Sequence, residues 1–138
     1  MKRRIKNFMP RNPPAATVLL KETLIMRWVL RSKLHKATVT EADVGYVGSI
    51  TIDQDLIERA GFWTGEKVLV VSNTTGRRLE TYVISGERNS GVICMNGAAA
   101  LLIKRGEEII VMGFELTDKP VNPTIILVDE NNKFLKKF

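Results

Sequence analysis

Short runs in which apolar residues alternate with polar ones follow one another along the chain from Met26. The first run is "RWVLRSKLHKATVT" (27–40) and the last is "PTIILVDE" (123–130). Between them, "EKVLVVSN" (66–73) and "RRLETYVISG" (77–86) flank turn-forming residues, a pattern that predicts a β-hairpin. About six short strands, with one or two small helices, predict a mainly β fold, a compact barrel with mixed strand order. The lysine-rich end is expected to fray.

Two segments carry helical signals instead. In "DQDLIERAGF" (53–62) the apolar residues recur at helical spacing, Asp53 stands where an N-cap is favoured, and Gly61 marks a C-terminal stop. The segment "AAALLIKRG" (98–106) predicts a short helical turn.

Composition narrows the class of protein. The 138 residues fit one domain, 44% of them are hydrophobic, and no apolar run approaches the length of a membrane span. A single cysteine, Cys94, forms no internal disulfide, and a single histidine builds no metal cage. We therefore expect a reduced, cytoplasmic protein with no metal and no membrane partner.

The net charge of +6 is concentrated at the N-terminus. Residues 1–25 carry six of the basic side chains against one glutamate, so the rest of the chain is close to neutral. We expect 1–25 to be a basic, disordered extension, or the product of a start codon ahead of the true one at Met26. A near-neutral body argues against a nucleic-acid partner.

The segment "DVGYVGSITID" (43–53) holds the first candidate for chemistry. A Ser-His-Asp hydrolase is disfavoured, since the chain has no G-x-S-x-G elbow and only one histidine, His35. Another reaction needs only Ser49 and its own backbone, because its hydroxyl can attack the carbonyl of Gly48 and convert the amide to an ester. Glycine suits this step because it adopts unusual backbone angles. On composition alone, a structural turn explains the pair more simply.

The hairpin holds the second candidate. If "GRRLETYV" (76–83) is a strand, Arg78, Glu80 and Tyr82 share one face and Thr81 points to the other. An arginine can bind a carboxylate through two hydrogen bonds, and a tyrosine can transfer a proton. A solvated basic hairpin tip is the alternative.

The third candidate is "NGAAA" (96–100), whose small residues allow the backbone to approach a ligand or a neighbouring strand closely. A tight turn leading into a helix is the simpler explanation. Lys33 and His35 are by default polar residues of a strand edge.

In this order, these segments resemble the pyruvoyl-dependent aspartate 1-decarboxylases. The matching pieces, which cover most of the chain from Met26 to about Val111, are "SKLHKATVTEAD", "YVGSITID" followed by "QDLIERAG", "GRRLETYVISGERNSG" and "NGAAALL". The resemblance implies a double-ψ β-barrel with one or two short helices, assembled as a homotetramer with sites between subunits. It implies an enzyme that converts L-aspartate to β-alanine and carbon dioxide for pantothenate and coenzyme A synthesis.

The resemblance also implies roles for residues. The proenzyme would cleave itself between Gly48 and Ser49, with help from Thr81, and Ser49 would become a pyruvoyl group. That group would form a Schiff base with aspartate and replace pyridoxal phosphate, and Tyr82 would be the proton donor. The implied substrate-binding residues are Lys33, Arg78, Thr81, Asn96, Gly97, Ala98 and Ala99, with His35 and Tyr46 as further pocket residues.

Two departures from the family pattern stand out. The extension before Met26 has no counterpart in the typical short member, and Val71 is aliphatic where some members carry an aromatic residue. The sequence leaves open whether cleavage is spontaneous or needs a maturation factor. Two other classes of protein remain as alternatives: a DNA-binding barrel whose "NTTGRR" hairpin and basic tail contact phosphate, and an inert scaffold.

Overall fold

A computed structural model describes residues 24–138, and in this part the chain is mainly β. It contains nine strands and two short helices, so the predicted mainly β, barrel-like fold is confirmed. Among residues 24–138, neither helix has the length and apolar content that a membrane-spanning helix requires. The predicted extension at 1–25 lies almost wholly outside the described residues. The elements are β1 Arg27–Thr38, β2 Glu41–Asp43, β3 Ser49–Asp53, α1 Gln54–Ala60, β4 Lys67–Ser72, β5 Arg78–Gly86, β6 Ile93–Asn96, α2 Ala99–Leu102, β7 Glu108–Thr117, β8 Thr124–Val128 and β9 Phe134–Lys137.

The strands form a mixed sheet in the order β2-β6-β3-β5-β4-β7-β1-β8-β9. Three neighbouring pairs, β2–β6, β3–β5 and β1–β8, are parallel, and the others are antiparallel. Parallel neighbours need a crossover connection, and α1 with β4 supplies it between β3 and β5. Strand β3 lies between β5, which carries Arg78, Thr81 and Tyr82, and β6, which carries Asn96.

Alternation along the strands builds the core. On β3, Ile50 and Ile52 are fully buried, and Val83 of β5 and Met95 of β6 lie fully buried beside them. These branched and long apolar side chains fit a pleated surface that is covered on one side. Burial of this kind stabilises each side chain by about 1.5–3 kcal/mol relative to its exposed state. The start of β3 is therefore anchored to the core from its second residue onward.

Buried Asp53 connects the end of β3 to α1 and to a distant loop. Its carboxylate accepts backbone N–H bonds from Asp55 at 2.8 Å, Asn89 at 2.9 Å and Gly91 at 2.8 Å. Three such bonds satisfy a carboxylate that would otherwise be costly to bury. Gly61 ends α1 in the left-handed region, with φ of 80°. Both predicted caps of this helix are confirmed.

The predicted hairpin is also confirmed, since β4 and β5 pair antiparallel. Its turn is fixed from outside by Glu107, a buried residue whose carboxylate accepts a hydrogen bond from Ser72 Oγ at 2.6 Å and one from Thr75 Oγ1 at 3.4 Å. The backbone N–H of Lys104 also donates to this carboxylate. These hydrogen bonds hold the turn in one conformation and so fix the position of Arg78, the first residue of β5.

Replacing this carboxylate is expected to destabilise the fold in a pH-dependent way. Burial alone would raise the pKa of Glu107, but bonds from Ser72, Lys104 and Thr75 and the charge of Arg77 bring it below its ordinary value of 4.5. A lowered folded-state pKa means that the ionised form stabilises the protein above pH 4.5, and that this contribution is lost as the pH falls through the folded-state pKa. We expect Glu107→Gln to cost about 1–3 kcal/mol near neutral pH. Urea unfolding of wild type and of Glu107→Gln, from neutral pH down through the folded-state pKa of Glu107, should show that the difference in their free energies of unfolding shrinks with acid. A difference that stays constant would contradict this prediction.

The prediction of a frayed C-terminal end is wrong. Strand β9 pairs antiparallel with β8 and includes two of the lysines that suggested fraying. Its first residue, Phe134, packs against the core, and the guanidinium of Arg59 lies 4.2 Å from the centre of its ring. Arginine over an aromatic face contributes about 0.5–1 kcal/mol at an exposed site. One aromatic residue with a long-range partner thus orders a segment whose local composition is polar.

Candidate active site

Ser49 is the first residue of β3 and is only 1% exposed. Its hydroxyl reaches back along its own chain and donates a hydrogen bond to the carbonyl oxygen of Val47 at 3.1 Å. This hydrogen bond spans Gly48, the residue between its two partners. Val47 itself is 72% exposed, so the Gly48–Ser49 pair lies at a boundary between solvent and core.

The side chain of Asn96 holds Ser49 from the neighbouring strand. Ser49 of β3 and Asn96 of β6 are direct partners in the antiparallel register. The Asn96 amide nitrogen donates to Ser49 Oγ at 2.9 Å and to Thr51 Oγ1 at 2.9 Å. Its amide oxygen accepts a bond from Cys94 Sγ at 3.1 Å. The buried amide is thus satisfied on both sides, and Ser49 Oγ has one donor and one acceptor as neighbours.

The backbone of Gly97 presses against the backbone of Gly48. Gly97 has φ of 65°, and a Cβ placed on it would lie 2.7 Å from Gly48 Cα and 2.9 Å from the carbonyl oxygen of Tyr46. The N–H of Gly97 donates to the carbonyl oxygen of Asp43 at 2.7 Å. Only glycine permits this approach, which fixes the loop ahead of Ser49 against the turn that follows β6.

Thr81 and Tyr82 lie on β5, which is the neighbour of β3 on the side opposite β6. Strands β3 and β5 are parallel, with Ile50 level with Val83. Extending this register by one residue brings Tyr82 level with Ser49, and extending it by two brings Thr81 level with Gly48. The side chains alternate as predicted, with Tyr82 39% exposed and Thr81 half-buried.

One chain does not bring every predicted residue to Ser49. Arg78 is exposed at the far end of β5, opposite Val71 of β4. Lys33 lies on β1, which is separated from β3 by β5, β4 and β7 in the sheet order. Neither cationic side chain forms an ion pair with a described residue.

His35 also lies on β1. Its Nδ1 is buried without a hydrogen-bond partner among the described residues, and its ring meets the edge of Phe138 at a centroid distance of 6.5 Å. Desolvation lowers the pKa of His35, and the nearby charges of Lys33 and Lys36 lower it further, partly offset by Glu108. A neutral imidazole is therefore favoured in this environment.

The remaining predicted residues surround the Gly48 turn. Tyr46 is 54% exposed in the loop before Ser49, while Ala98 and Ala99 lead from Gly97 into α2. Val71 is buried, as is usual for an aliphatic residue in the middle of a sheet. Within residues 24–138, no group of three His, Cys, Asp or Glu side chains is arranged to hold a metal ion.

Two residues of this cluster, Thr51 and Cys94, were missed at the level of sequence. Each lies two positions from a recognised residue, Thr51 after Ser49 and Cys94 before Asn96, and so shares its strand face. The spacing was visible in the sequence, but the pairing of the two strands was not.

A groove elsewhere on the surface does not coincide with this cluster. It has a volume of about 740 Å³ and lies between the exposed rings of Trp28, Trp63 and Phe114. None of the predicted site residues lines it.

Comparisons with known proteins place this chain in a family. The family model described as aspartate decarboxylase matches residues 25–135. Proteins named aspartate 1-decarboxylase are similar over most of their length: that of Caldicellulosiruptor saccharolyticus is 54% identical over 112 residues (78% of this chain, 88% of the relative). The relative from Acetivibrio thermocellus is 53% identical over 111 residues (78% and 88%), and that from Neisseria meningitidis 51% over 113 (79% and 89%).

The barrel-like fold and these relatives define an enzyme of the carboxy-lyase class. The chain belongs to the aspartate decarboxylase family.

Proposed function

We propose that this chain is a self-cleaving aspartate 1-decarboxylase that converts L-aspartate to β-alanine and carbon dioxide. The observation that carries the proposal is the buried Ser49 hydroxyl, which reaches back past Gly48 to the Val47 carbonyl and accepts a hydrogen bond from the Asn96 amide. The relatives' names supply the substrate. The residues form one barrel domain over 26–138, and the product serves pantothenate and coenzyme A synthesis in the cytoplasm.

The cleavage uses only the chain and water. Ser49 Oγ attacks the carbonyl carbon of Gly48, its proton passes to the departing backbone nitrogen, and an ester replaces the amide. Loss of the Cα proton of residue 49 to water then forms a Cα=Cβ bond, and Oγ departs with Gly48 as a carboxylate. Hydrolysis of the resulting enamine releases ammonia and leaves a pyruvoyl group at the start of the longer fragment.

The surroundings of Ser49 fit such a group. A pyruvoyl group supplies a ketone that condenses with an amino group and withdraws electrons as carbon dioxide leaves, without metal or pyridoxal phosphate. Thr81, level with Gly48, assists cleavage by hydrogen bonding at the Gly48 carbonyl. Tyr82, level with Ser49 and partly exposed, delivers the proton that replaces the lost carboxylate. The backbone from Gly97 to Ala99 lines the pocket with Asn96.

The cations for the two substrate carboxylates come from Lys33 and Arg78. Because β1 and β3 are separated within one chain, we propose that a homotetramer brings Lys33 or Arg78 of one copy to Ser49 of another, with His35 and Tyr46 nearby. Exposed apolar side chains such as Val47 and Trp28 support burial between copies.

Intact mass measurement of the purified protein tests this proposal. We expect fragments of 48 and 90 residues if the full sequence is translated, with the larger one blocked at its N-terminus and reactive to carbonyl reagents. The same sample should release carbon dioxide from L-aspartate, with loss of activity after carbonyl-reagent treatment. A folded protein that stays in one piece without activity, even after incubation with a cell extract that could supply a maturation factor, would contradict the proposal.

A further inference from the structure

Buried Cys94 lies directly behind the amide that contacts Ser49. It is 6% exposed, is unpaired, and shares a strand face with Asn96 on β6. Its Sγ lies 3.1 Å from the Asn96 amide oxygen, on the side of the amide opposite Ser49. Neither sequence comparison nor the proposed cleavage gives this thiol a role.

The two orientations of the Asn96 amide are not equivalent here. In the observed one, the amide nitrogen donates to the hydroxyl oxygens of Ser49 and Thr51, while the oxygen accepts from Cys94. In the flipped one, the nitrogen would meet the sulfur, a weak acceptor, and the oxygen would face Ser49. The Ser49 hydroxyl would then have to give up its bond to the Val47 carbonyl.

The thiol has the protonation state that this arrangement needs. Burial raises the pKa of Cys94, and the charges of Glu41 and Asp43 on the neighbouring β2 raise it further, partly opposed by a backbone hydrogen bond from Asp43. The sulfur therefore keeps its proton at neutral pH and can donate it to the amide oxygen.

We propose that Cys94 is a positioning residue that fixes the Asn96 amide with its nitrogen towards Ser49 Oγ. This rests on the proposed function and deepens it. When the Cβ–Oγ bond of the ester breaks, Oγ gains the electron pair and leaves as part of the Gly48 carboxylate. An N–H donor aimed at Oγ stabilises that charge, so the amide orientation governs the elimination step more than the initial attack.

The test compares variants that differ in the donor at position 94. Cys94→Ala and Cys94→Val remove the donor, and Cys94→Ser retains one. In full-length chain from cell-free synthesis, we expect the first two to form the fragments about 10-fold more slowly and Cys94→Ser to stay within about 3-fold of wild type. The slow variants should also accumulate the ester intermediate, because its elimination is slowed. Hydroxylamine cleaves this ester and so splits the chain after Gly48.

Val70→Ala serves as the packing control, since it removes two methyl groups from a fully buried side chain of β4 and leaves the Asn96 amide untouched. It should cleave at the wild-type rate without the hydroxylamine-sensitive species.

If Cys94→Ala does not fold, the comparison of Cys94→Val with Cys94→Ser decides. Wild-type rates in both donor-free variants, or equal slowing in Cys94→Ser, would overturn the inference. If wild type itself never cleaves, the proposed function fails instead.

Discussion

Ser49→Ala should leave the chain in one piece and without decarboxylase activity. Alanine has no side-chain hydroxyl to act as a nucleophile, so the Gly48 peptide cannot become an ester and no pyruvoyl ketone can form at residue 49. Cleavage should fall below detection in intact mass spectra, and release of carbon dioxide from L-aspartate should fall with it. Every later step depends on this hydroxyl, so this is among the largest effects that one substitution can produce here.

The variant should still fold. Removing the hydroxyl deletes one bond from Asn96 and one to Val47, and Asn96 keeps its contacts with Thr51 and Cys94. We expect a cost of about 1 kcal/mol in the free energy of unfolding. Ser85→Ala is the matched control, because Ser85 is an exposed serine of β5 bonded to Gln54. Ser85→Ala should cleave like wild type; fragments of the same size in Ser49→Ala would refute the proposed chemistry.

Local signals in the sequence account for much of the fold. Asp53 and Gly61 predicted both ends of α1, because capping depends on residues within a few positions. The hairpin followed from its turn residues and its two alternating runs. Strand β9 was not predicted, because its order depends on Phe134 meeting the core and Arg59, which no local pattern reveals.

The contacts of the candidate site could not be predicted from local sequence patterns either. Ser49 and Asn96 are 47 positions apart, and their contact depends on the pairing of β3 with β6. The family resemblance supplied both residues but not the amide network, in which Thr51 and Cys94 take part. The roles given to Lys33, Arg78 and Tyr82 stay predictions, since among the described residues the Ser49 hydroxyl bonds only to Val47 and Asn96.

Gly97→Ala should block cleavage by displacing the loop before Ser49 while leaving the hydroxyl in place. Its Cβ would lie 2.7 Å from Gly48 Cα and 2.8 Å from Gly48 N, and both are backbone atoms that cannot rotate away. The loop must shift, and a misplacement of about 1 Å at a reacting group can cost about 100-fold in rate. Strain at φ of 65° and the collision should together cost about 2–5 kcal/mol of stability.

Gly106→Ala separates the collision from the strain. Gly106 has φ of 87°, but a Cβ there would meet nothing within 4 Å. It therefore carries the backbone strain alone, about 1–3 kcal/mol, and should cleave at the wild-type rate. Time courses of fragment formation, taken below the unfolding temperature of both variants, measure the difference. Equal cleavage rates in the two variants would mean that the contact between Gly97 and Gly48 does not set the geometry of cleavage. A rate about 100-fold lower in Gly97→Ala than in Gly106→Ala would assign that role to the direct contact between the Gly97 and Gly48 backbones.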